Sequence, residues 1–143
     1  MLGRTVVRLT VVMVVMAFAG IAQGQDKLQN YLNEAACKVK ATIDPTQKRE
    51  ILDKSFAKMS KALDIAQSSP LISRDDKAGI SKFKAVLTEK QDELAGVNGY
   101  TAVTDAQLNI FADYAVQDME QAQNISISLV AALLIVIIII LVV

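Results

Sequence analysis

The chain of 143 residues contains no histidine and no tryptophan, one cysteine, two prolines and six glycines. Each absence removes a class of chemistry. Without histidine there is no Ser-His-Asp or Cys-His arrangement and no His-containing zinc or di-iron motif. No phosphate-binding P-loop and no GxGxxG is present. A single cysteine cannot form an intramolecular disulfide, so the fold depends on its core. Few glycines and prolines leave long stretches without a break. Positive charge also runs out: no Lys or Arg follows Lys90, and no charge of either sign follows Glu120.

Two apolar ends frame what remains. Residues 1–24, MLGRTVVRLTVVMVVMAFAGIAQG, carry Arg4 and Arg8, then an apolar run to Ala22, then the small residues of Ala22-Gln23-Gly24. This is the three-part pattern of a secretory signal, with cleavage expected after Gly24. Ile125 to Val143 holds only two polar side chains, Ser126 and Ser128. As one helix it would extend about 28 Å, close to the hydrocarbon thickness of a bilayer.

Two readings of this tail stay open. A retained transmembrane helix would normally carry basic residues on its cytoplasmic flank, and none follows. A glycosylphosphatidylinositol (GPI) attachment signal is apolar to its end, but wants small residues at the attachment site and then a polar spacer. Asn124 starts a triplet with suitable small residues and almost no spacer. Asp118 has a better spacer and a poor third residue. Asp113 is acceptable in composition and distant. Asn124-Ile125-Ser126 is also a formal glycosylation sequon, though it abuts the apolar segment.

Between the ends lies one domain, residues 25–124. It carries 13 basic and 15 acidic residues, a net of −2. This is too little positive charge for nucleic acid. The first part is basic and the last helix acidic, so the two can attract each other within a bundle or between molecules.

The domain reads as helices. Leu28, Tyr31, Leu32, Ala35, Ala36 and Val39 make one stripe over residues 27–42. Asp44 caps a second helix, with Pro45 at its first position and Gln47 as a capping-box partner. Leu52, Phe56, Met59, Leu63 and Ala66 then follow the seam spacing of aligned helices. Ser73 caps a third, whose buried side is Ile80, Phe83, Leu87 and Leu94, and Gly96 ends it. Thr104 and Gln107 open a fourth, with Val103 stapled to Leu108. Its stripe is Leu108, Phe111, Ala112, Ala115, Met119 and Ala122. No Gly or Pro lies between Thr104 and Val143, so this helix is expected to run straight into the tail.

Short connections predict an all-α, antiparallel up-down bundle of four helices, or a three-helix core with a loose first helix. The Asn98-Gly99-Tyr100 turn is the candidate recognition loop. Cys37 lies opposite the first stripe and should point outward. An exposed thiol in an oxidising compartment can link two molecules, as a homodimer or with another protein. The carboxylate pairs Asp75-Asp76 and Asp92-Glu93 point about 100° apart on their helix and suit a helix N-terminus and a solvated face.

These features predict a non-catalytic, membrane-anchored binding or coat module on the extracellular side of the cell membrane. Its partners would be the bilayer and a protein, with no nucleic acid, cofactor or metal. The alternative is a carrier whose core, lined by Phe56, Met59, Phe83, Phe111 and Met119, encloses a lipid or other apolar molecule.

Overall fold

The computed structural model describes residues 24–142, all helical apart from turns. The N-terminal apolar segment lies outside the described residues, except for Gly24. Five helices follow in order: α1 (Gly24–Ala41), α2 (Pro45–Gln67), α3 (Arg74–Ala95), α4 (Leu108–Ser126) and α5 (Leu129–Leu141). A single 3-10 turn, Asp105–Gln107, leads into α4.

The helix ends follow from local chemistry. Asp44 takes an extended conformation and accepts from the Thr46 backbone N–H at 2.9 Å, with Pro45 beginning α2. Ser73 accepts from Asp76 N–H at 3.1 Å, and Asp75 and Asp76 face the positive end of α3. Gly96 closes α3 with φ 72°, a left-handed position that suits glycine. A Cβ there would also press on Ala102. Gln107 accepts from the Thr104 N–H at 3.4 Å.

The first four helices alternate in direction. Lys84 of α3 pairs with Asp64 of α2. Lys40 of α1 reaches Asp113 of α4 at 2.9 Å. Every residue of the α2 seam, the four named on α3, and Leu108, Phe111, Ala112, Ala115 and Met119 on α4 are buried. Leu28, Leu32, Ala36 and Val39 are buried on α1. The first helix is therefore not loose: it packs against α2, α4 and α5.

The fifth helix corrects the expected straight run from α4 into the tail. Ile127 is extended (φ −113°, ψ 122°), and Ser128 then caps α5, accepting from Ala131 N–H at 3.1 Å. The chain reverses there, and α5 returns along α1 and α2. Ala131, Ala132, Ile135, Val136 and Ile138 join the common core. At thirteen residues α5 is shorter than the apolar segment it belongs to. Among the described residues no helix is long and apolar enough to cross a membrane.

Candidate functional site

Three places bring chemically distinctive side chains together. The first is inside the α3–α4 interface. Lys90 occupies the position of a core residue between Leu87 and Leu94 and is 1% exposed. Its ammonium lies 2.5 Å from an Asp118 oxygen, 3.5 Å from Glu93 and 3.9 Å from the centre of the Tyr114 ring. The Asp118 contact is an ion pair without well-aligned hydrogen-bond geometry. Burial alone would lower the lysine pKa. The contacts with Asp118 and Tyr114 and the charge of Glu93 outweigh it and raise the value above the ordinary 10.5. Lys90 thus stays protonated, whereas a nucleophilic or Schiff-base lysine needs a lowered pKa. The cluster is suited to fixing helix register.

The second place is the loop at the far end of α3. Gly96 and Val97 N–H groups both bond to Asp92 O, at 2.9 and 3.1 Å. Asn98 (φ 54°) donates to the Asp92 carboxylate at 3.0 Å, and Gly99 sits at φ 90°. Tyr100 follows, 39% exposed. Its phenol pKa is raised by partial desolvation and by the negative charges of Glu89 and Glu93. The loop is thus built on the end of α3. Arg49 pins the next stretch to α2, with 2.9 Å to Asp105 and a hydrogen bond to Val103 O. The turns after α1 and α3 share this end of the bundle.

The third place is the α4–α5 joint. Gly79 of α3 packs so closely on the Ser126 carbonyl of α4 that a Cβ at position 79 would overlap it. Asn124 is exposed in the last turn of α4. The other two attachment candidates belong to the folded body: Asp113 is exposed but paired to Lys40, and Asp118 is engaged with Lys90.

Cys37 is exposed on α1, as its angular position predicts, and free. Phe56, Met59, Phe83, Phe111 and Met119 all belong to the one core, and the Phe56 and Phe111 rings meet edge to face with centres 6.4 Å apart. Sequence reasoning missed Lys90, Gly79 and Ser128. Lys90 falls on the seam spacing of α3, and Ser128 is a capping residue type before an apolar run, so both left a signal.

Comparison with protein-family models, curated proteins and solved structures gives no match.

Proposed function

We propose that this protein is a small membrane-tethered module of the extracellular cell surface that acts by binding or by forming a coat, not by catalysis. The observation that carries this reading is the double-sided apolar character of α5. Its inner face packs on α1 and α2. On its outer side Val130 and Leu141 are 67% and 59% exposed, and Val142 just after it is 60% exposed. An ordinary bundle helix turns polar residues to water. Here both faces suit hydrocarbon, and nineteen apolar residues can meet a bilayer.

Two anchoring chemistries share this reading: the tail enters the bilayer itself, or it is an address replaced by a glycolipid at Asn124, Asp118 or Asp113. Both chemistries unseat α5: replacement at Asn124 would remove six buried apolar side chains from the core, Ile127, Ala131, Ala132, Ile135, Val136 and Ile138, and entry into the bilayer would require α5 to leave α1 and α2. Treating eukaryotic cells that express the full chain with phosphatidylinositol-specific phospholipase C separates the two. Retention with the intact tail found by mass spectrometry supports the span. Release with a glycolipid remnant supports replacement. Recovery of the full chain in the medium, without lipid, would overturn membrane tethering altogether.

The exposed Cys37 thiol adds a covalent route to a dimer or to a mixed disulfide with a second protein.

A further inference from the structure

Several basic residues of this fold tie one element to another. Lys40, Arg49, Lys84 and Lys90 are each matched to a carboxylate of another helix or of the turn before α4: Asp113, Asp105, Asp64 and Asp118 respectively. Lys48 donates to Asn109 at 2.7 Å. The Lys40, Lys48 and Arg49 contacts hold the basic first part of the chain against α4 and the turn before it, and the Lys84 and Lys90 pairs tie α3 to α2 and α4.

Lys38 and Lys58 are different. Both are exposed, and neither forms an ion pair among the described residues. They line the same groove, an open cavity of about 220 Å³ between α1 and α2. Lys54 lines it too, engaged only with its own-helix neighbour Glu50 at 2.7 Å. The one acidic residue of the wall is Glu34, so two lysines without an ion pair, beside the Glu50-paired Lys54, share the wall with one carboxylate. The remaining wall is apolar or weakly polar: Ala35, Ile51, Tyr31 and Ser55. The Tyr31 hydroxyl donates to Ser55 O across the groove at 3.5 Å.

The helices run antiparallel with Tyr31 opposite Ser55. Lys58 therefore stands towards one end of the groove and Lys38 towards the other, about 10–15 Å apart along the axis at 1.5 Å per residue. An extended peptide covers that distance in about four residues.

We infer that the α1–α2 groove binds a short acidic peptide segment of a partner protein, with carboxylates on Lys38 and Lys58 and an apolar side chain over Ile51 and Ala35. Lys61, Arg74, Lys77 and Lys82 likewise form no ion pair among the described residues, but Lys38 and Lys58 line one groove together, and that shared wall gives the complementarity; the groove's length and openness suit a segment of chain. The inference does not depend on how the protein is anchored.

The test uses the full chain in a neutral detergent and a fluorescein-labelled tetrapeptide with glutamate at both ends and Leu-Ser between. Fluorescence anisotropy should show saturable binding that weakens with salt. The double variant K38E/K58E removes both charge-assisted contacts and should lose well over tenfold, since one such contact alone is worth about tenfold or more. K82E makes a charge change of the same sign on the exposed face of α3 and should leave binding unchanged. Circular dichroism melting should show all three proteins folded, since these lysines are exposed. No binding by the wild type would overturn the inference. So would equal losses in K82E, or equal binding of the peptide with glutamine in place of glutamate. Competition by free glutarate at the concentration of the peptide would also overturn it, by making the occupant a small acid.

Discussion

Lys90 on α3 and Asp118 on α4 form an ion pair, 2.5 Å apart, at a position where the helical repeat calls for an apolar side chain. The lysine is fully buried and the aspartate 31% exposed, so the two partners are not equivalent.

Asp118→Asn should leave the buried ammonium with a neutral amide oxygen in place of the carboxylate, and with the more distant Glu93 as its one remaining anion beside the Tyr114 ring. It should destabilise the fold by about 2–3 kcal/mol, at or below the low end for breaking a buried pair because Asp118 reaches solvent. Lys90→Met should cost less, since Asp118 can then be hydrated and the seam gains an apolar side chain. Urea unfolding of both variants checks the order. A larger loss for Lys90→Met would contradict it.

Stability should fall at alkaline pH. Lys90 has a folded-state pKa above its ordinary 10.5, so its contribution is fully present below that value and is lost as the pH rises through the raised one. Tyr31, raised from 10.0 mainly by burial, acts in the same direction because the folded state holds its proton longer. Denaturation midpoints measured from pH 7 to 11 should hold up to about pH 10 and then drop. In Lys90→Met the drop should be shallower.

Gly79→Ala should be destabilising by about 1–3 kcal/mol, the usual range for overpacking, although alanine is the better helix former. The added methyl meets the Ser126 backbone, which has no rotamer to move away. Thermal melting reads the loss. An unchanged or raised midpoint would show that the joint gives way freely.

Removing residues 129–143 should bare the faces of α1 and α2 that α5 covers. Burial of Ile135, Val136 and Ile138 contributes about 1.5–3 kcal/mol each at most. The truncated chain should therefore melt at lower temperature and bind an apolar dye such as ANS. Ser128→Ala is the milder version and should cost about 1 kcal/mol through the lost cap.

Much of the bundle is legible in the sequence because amphipathic stripes and caps are local signals. Leu52, Phe56, Met59, Leu63 and Ala66 announce their buried face by spacing alone, and Asp44, Ser73 and Gly96 mark helix ends by residue type. Lys90 is not legible in this way. Its partners Tyr114 and Asp118 lie on another helix, and a charge on a seam reads locally as an interruption. Gly79 is understood only when the Ser126 carbonyl arrives beside it. The path of the tail is hidden for a different reason. A segment that is apolar on every side has no stripe, so it carries no record of which face it buries. Its turn at Ile127 uses neither glycine nor proline, and only Ser128 hints at it.

That turn has a mechanical consequence. α4 and α5 are joined through Ile127 and the Ser128 cap alone, with no slack between them. To slip away along α1 and α2 by one turn, α5 would have to move 5.4 Å, and Ile127 and Ser128 are both already extended, so neither can lengthen to allow it. The tail therefore cannot creep in register. It is either seated as a whole or unseated as a whole, like a latch.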